Sequence, residues 1–166
     1  MKPFHGANPA KILAAIYRDC APEQVVSLLF WSDAPPFRTV AAGEQWSRLQ
    51  VILGCTEVYN ALGISSLPGQ IPADFHYATG LETIGTLANL LQHGGVHQRF
   101  VDDYEHALWE SRQFLDAALL DYYETAEAYS CHARWCDWFI GDEILDETVL
   151  LGNRGDWWLL AVTGTD

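Results

Sequence analysis

The chain has 166 residues, of which 49% are hydrophobic and 13% aromatic, and it carries a formal net charge of −13. Such a length suits one core and such a composition is too apolar for a disordered polymer, so residues 1–166 read as a single domain. Residues 101–166 hold fifteen acids against three bases, whereas residues 1–100 hold seven against six, and a field of that sign repels nucleic acid and anionic lipid.

No stretch reaches the ~18 uninterrupted apolar residues of a membrane span, and the opening MKPFHGANPAKILAAIYRDC lacks the cleavage pattern of an export signal. Four cysteines, Cys20, Cys55, Cys131 and Cys136, are then read as free thiols in a reducing compartment, which predicts a cytoplasmic protein.

Asn8 before Pro9 predicts a helix start and a first helix over 9–19. Pro22 is read as opening a second helix that carries Val25, Val26, Leu28, Leu29 and Phe30 and is stopped by Asp33, Pro35 and Pro36. Trp46, Leu49, Ile52, Leu53, Tyr59 and Leu62 recur at helical spacing and predict a helix over 44–62 ended by Gly63. A proline-bearing loop over 65–72 follows, and then a helix through Leu81, Ile84, Leu87 and Leu91 that Gly94 and Gly95 terminate. From 97 to 129 the helical period persists through Val101, Tyr104, Leu108, Leu115, Leu119, Tyr122 and Ala126, as one long helix or two in series, with Ser111 marking a place for a bend.

The pattern then changes. Trp135–Ile140, Leu145–Leu151 and Trp157–Thr163 are rich in aromatic and branched residues and are separated by glycine-containing turns, which predicts three antiparallel strands in a meander. The fold expected is α+β: a helical N-terminal body of about five helices over 9–130, with a C-terminal three-stranded antiparallel sheet over 131–166. In the last strand both alternating faces, Trp157–Leu159–Ala161 and Trp158–Leu160–Val162, are apolar, so one of them needs a further helix, a second copy of the chain or a partner to cover it.

Catalytic signatures are absent: the chain has no Gly-x-Ser-x-Gly elbow, no P-loop and no Gly-x-Gly-x-x-Gly after a strand, and no catalytic residues are assigned. Cys131, His132 and Cys136 lack a zinc-knuckle spacing, and no cofactor is expected. The paired acids Asp142-Glu143 and Asp146-Glu147 lack a calcium-loop pattern and read as a hydrated turn. One metal or small-molecule arrangement competes with the main reading: His93, His97, Asp102, Asp103 and His106 cluster where helices meet, and Asp102 and His106 stand one helical turn apart.

The main reading is an interaction protein. Trp135, Trp138, Trp157 and Trp158 fall among Asp142, Glu143, Asp146 and Glu147, and interfaces concentrate their energy in aromatic anchors while charges set encounter rate. The expected partner is a basic protein, or a second copy of the chain, and neither nucleic acid nor a membrane. The acidity and size are those of small inhibitor or immunity proteins directed against basic partners, an analogy of charge and size alone.

Overall fold

The computed structural model describes residues 24–35, 41, 44–67, 74–93, 103–119, 126–140, 145–153 and 155–164. In chain order these form β1 (Gln24–Trp31), α1 (Gln45–Leu53), α2 (Thr56–Leu62), β2 (His76–Ala78), α3 (Gly80–His93), α4 (Tyr104–Leu119), β3 (Ala126–Cys131), β4 (Leu145–Asn153) and β5 (Asp156–Gly164). The five strands make one antiparallel sheet in the order β1-β5-β4-β3-β2.

This architecture corrects the expected one of about five helices and a three-stranded meander. Four helices and a five-stranded sheet stand among the described residues. The segment read as a second helix is β1: its run QVVSLLFW pairs residue for residue with β5, from Gln24 opposite Thr163 to Trp31 opposite Asp156. The long helix is described as far as Leu119, and Ala126–Cys131, whose residues up to 129 were expected to be helical, is β3, held between β4 and β2. Trp135–Ile140 is not a strand but a loop after β3, so the third strand of the meander lies nine residues earlier than expected. The expected helix over 9–19 and the glycine pair Gly94-Gly95 lie outside the described residues.

Other expectations hold. β4 and β5 pair across their full length, with Gly155 at φ +91 in their turn. The 44–62 helix exists as two pieces: Gly54 donates to the Gln50 carbonyl at 2.8 Å, and the chain restarts at Thr56, while Gly63, at φ +62, caps the second piece as its position predicts. α3 covers the expected 81–91 and begins with a capping box: Glu82 N–H donates to Thr79 Oγ1 (3.3 Å) and Thr79 N–H to Glu82 Oε2 (2.6 Å). The hydrogen bond from the Thr79 N–H, and secondarily one from the Thr79 side chain, hold the Glu82 carboxyl below its ordinary pKa. The bend expected at Ser111 is not seen: α4 passes it without a break, and the buried hydroxyl is satisfied by the Ala107 carbonyl one turn back at 2.8 Å.

Helices cover both faces of the sheet. On one, α3 and α4 bury Leu87, Leu91, Leu115 and Leu119 against Val149, Leu151, Trp158, Leu160 and Val162. On the other, α1, α2 and the 132–140 loop bury Leu49, Ile52, Val58, Trp135 and Phe139 against Tyr129, Leu150, Trp157, Leu159 and Ala161. The doubly apolar strand β5 is thus enclosed by its own chain, and no second copy is required to cover it. Trp158 also satisfies its indole N–H, donating to Ser27 Oγ on β1 at 2.8 Å. Among the described residues no helix is long and apolar enough to cross a membrane.

Candidate functional site

Burial decides which aromatic residues can meet another molecule. Trp135, Trp157 and Trp158 are buried, and Trp138 is half-buried, edge-on to Phe139. Trp135 donates to Thr148 Oγ1 at 2.8 Å and packs between Phe75 and Phe139. Of the expected acidic rim, Asp146 accepts a hydrogen bond from Thr163 Oγ1 at 2.7 Å, and Glu147 is buried against His132; Asp142 and Glu143 lie outside the described residues. The expected union of bare indoles with carboxylates on the last strands therefore fails for Trp157 and Trp158, because both faces of β5 already carry helices. The large exposed indoles are Trp31, Trp46 and Trp109.

The competing histidine arrangement is not assembled by the described residues. His97 and Asp102 fall outside them, and His93 is the last residue of α3. Asp103 accepts from the Glu105 N–H at 3.0 Å, which fits it to begin α4. His106 lies on the solvent side of α4, stacked on Trp109 and 3.8 Å from Glu110 one turn on. Among the described residues no group of three or more histidine, cysteine or acidic side chains is placed to hold a metal ion.

The end of β1 is better built for binding. Trp31 is 59% exposed, yet its ring is positioned: a Cβ at Gly155 would come within 2.9 Å of Trp31 Nε1, so only glycine leaves the indole its place. The positive φ of Gly155 favours glycine for a second, independent reason. Ser32 N–H donates to the Gly155 carbonyl at 2.7 Å, and Ala34 N–H to Ser32 Oγ at 3.3 Å, turning the chain away from the sheet just after the indole. Cys55 Sγ reaches the carbonyls of Trp31 (3.5 Å) and Val51 (3.6 Å), tying this turn to the α1–α2 corner. Burial pushes the Cys55 thiol above its ordinary pKa, so it stays a neutral donor.

Two cavities meet at Trp31, Ser32 and Asp33. The deeper, about 530 Å³, runs between the β4–β5 turn and the buried Arg48–Glu127 pair. The shallower, about 680 Å³, runs along the α1–α2 corner past Gln50, Val51, Cys55 and Glu57; Asp33 and Glu57 are its charged lining residues, both acidic. A third cavity of about 480 Å³ lies between the loop after α2 and residues 134–138, where Trp135 and Trp138 sit beside the Arg134–Asp137 ion pair (3.2 Å).

Arg48 forms the floor of the deeper cavity. Only 3% exposed, it donates to the Pro35 carbonyl, to Tyr129 Oη at 2.6 Å and to Glu127, and its guanidinium lies 5.6 Å from the Trp157 ring centroid. Trp157 is confined from the far side, since a Cβ at Gly152 would sit 2.5 Å from its ring. Burial raises the Tyr129 phenol pKa, outweighing the neighbouring guanidinium, so the phenol stays protonated. Sequence reading missed this group because Arg48, Glu127 and Tyr129 converge only when α1 closes over β3.

No protein-family model matches this chain, and neither curated proteins nor solved structures give a match.

Proposed function

We propose that this chain is an acidic protein-binding module that receives a basic segment of its partner in the groove between Trp31 and the α1–α2 corner. The carrying observation is Trp31 itself: a large exposed ring, held in place by Gly155, standing between two cavities beside Asp33 and Glu57. An indole offers a cation both apolar area and the negative face of its ring, and carboxylates at the rim supply attraction at longer range. The net charge of −13 favours the same class of partner by steering its approach. Size and acidity suit an inhibitor or immunity-type role. Among the described residues Cys55, Cys131 and Cys136 are unpaired, as suits action in a reducing cytoplasmic compartment.

The test uses a defined probe. The isotopically labelled full chain is titrated with octa-arginine, and with octa-glutamine as the uncharged control, at low and at physiological salt. The expected result is a saturable shift of the Trp31 indole resonance with octa-arginine alone; the affinity, read at the Val51 and Gly54 amide resonances of the same cavity, falls at least tenfold in Trp31→Ala and becomes less salt-sensitive with Asp33→Asn and Glu57→Gln. Perturbations confined to α4, or spread evenly over the acidic surface with Trp31 unmoved, would overturn the reading.

A further inference from the structure

The two edges of the sheet are made differently. β2, at one end of the strand order, is three residues long. β1, at the other, has eight residues, and its register with β5 runs from Gln24 to Trp31 without a bulge. Its sequence QVVSLLFW holds no charged residue and no proline. Charge, proline, bulges and shortness are the devices that keep a sheet edge from taking up another strand. β2 uses the last of them, and β1 uses none.

The outward backbone groups of β1 follow from its register. Ser32, one residue past the strand, donates its N–H to the Gly155 carbonyl at 2.7 Å, in step with the pairing of Trp31 and Asp156. In an antiparallel ladder every second residue turns its N–H and C=O toward the same neighbour. Phe30, Leu28, Val26 and Gln24 therefore bond to β5, while Trp31, Leu29, Ser27 and Val25 aim their backbone groups outward. Cys55 agrees with that phase, its thiol meeting the Trp31 carbonyl at 3.5 Å. Val25, Ser27 and Leu29 meet no further strand among the described residues. Leu29 is 51% exposed, two residues from Trp31.

Such an edge accepts an extended backbone, and its surroundings select which one. At the Trp31 end it leads into the cavity whose charged lining residues are Asp33 and Glu57. A second copy of β1 would bring the same acids and a further charge of −13, whereas a basic segment meets charge of opposite sign. We propose that the partner's basic segment binds as an added β-strand along the outer edge of β1, pairing with Val25, Ser27 and Leu29 and setting an arginine or lysine against Trp31, Asp33 and Glu57. This rests on the Trp31 groove as the binding site and adds the conformation that the partner must take there. Main-chain hydrogen bonds then supply affinity for any extended segment. An apolar side chain beside Leu29 and a cation at Trp31 supply the selection.

The probe is a capped peptide of alternating threonine and valine with two arginines at each end. Its control carries the same arginines, with proline at every second central position, and cannot form a ladder. Added to the full chain, the probe should slow hydrogen exchange at the Val25, Ser27 and Leu29 amides and bind at least tenfold more tightly than the control, read at the Val51 and Gly54 amide resonances. Leu29→Pro removes an outward N–H and none that faces β5, and should erase that preference. Should this variant fail to fold, the exchange measurement on the wild-type chain decides. Equal binding of the two peptides at Trp31, with the three amides exchanging as before, leaves the groove standing and overturns the added strand. No response to either peptide overturns both. Slow exchange at the same amides in the free chain, together with a doubled mass in solution, gives the edge to a second copy and overturns the proposal as well.

Discussion

Against one side of the sheet lie helices of 14 and 16 residues, α3 and α4, whose leucines meet Trp158, Leu160 and Val162. The other side is roofed by α1 and α2, nine and seven residues long, and by an irregular loop. Short helices cannot span the sheet, so this roof has seams: three cavities open along it, and a buried guanidinium fills part of the space that apolar side chains fill opposite. On the proposed reading cohesion falls to one layer and recognition to the other, and substitutions on the two sides should then separate stability from binding.

The largest expected effect is on the filled side. Trp158→Ala removes a fully buried indole packed on Phe114, with ring centroids 4.7 Å apart, and should cost about 3–5 kcal/mol in urea unfolding. A loss below about 1 kcal/mol would break the contrast. Next comes Arg48→Met, which removes the guanidinium that meets the Pro35 carbonyl, Tyr129 Oη and Glu127 and should cost about 3 kcal/mol.

Alkaline pH probes the same roof. Burial pushes the Cys131 thiol up to about 12 from the ordinary 9.0, and raises Cys136 in the same direction. The fold requires the neutral thiol, so stability is unaffected below pH 9 and declines as pH rises from 9 toward 12, by about 1.4 kcal/mol per unit for one such group. Cys131→Ala should flatten that decline in Tm measured against pH, and an unchanged slope would exclude this thiol as its source. The smallest effect on stability is expected for Trp31→Ala, within about 0.5 kcal/mol, because the ring is largely solvated. The same variant should lower the affinity for octa-arginine at least tenfold, read at the Val51 and Gly54 amide resonances. A Trp31→Ala protein that loses several kcal/mol would make this ring a structural buttress instead.

Much of the helix and strand content was legible along the chain. α3, β4, β5 and the Gly63 cap follow from periodicity and glycine placement, all local signals. β1 was misread because a continuous apolar run fits a buried helix as well as a buried strand, although Val25, Val26, Phe30 and Trp31 favour the pleated form. β3, with two alanines and a glutamate in AEAYSC, continues a helical period; its strand conformation comes from ladders on both sides. The Trp31 groove was missed for a related cause, since an indole's exposure depends on how distant segments close around it. Sequence reading placed acid beside indole at residues 135–158, where Trp135, Trp157 and Trp158 prove buried; Trp31, beside Asp33 and Glu57, was not among the residues it singled out.

The strand order carries an implication for how the molecule comes into being. Among the described strands β1 has a single sheet neighbour, β5, which itself bridges to β4. During synthesis β1 leaves the ribosome well before β5 and lacks its sheet neighbour until Asp156–Gly164 has emerged. Contacts so distant along the sequence favour slow closure. A chain halted before residue 156 would carry an eight-residue apolar ribbon with no place to dock, the kind of species that cellular quality control must hold or remove.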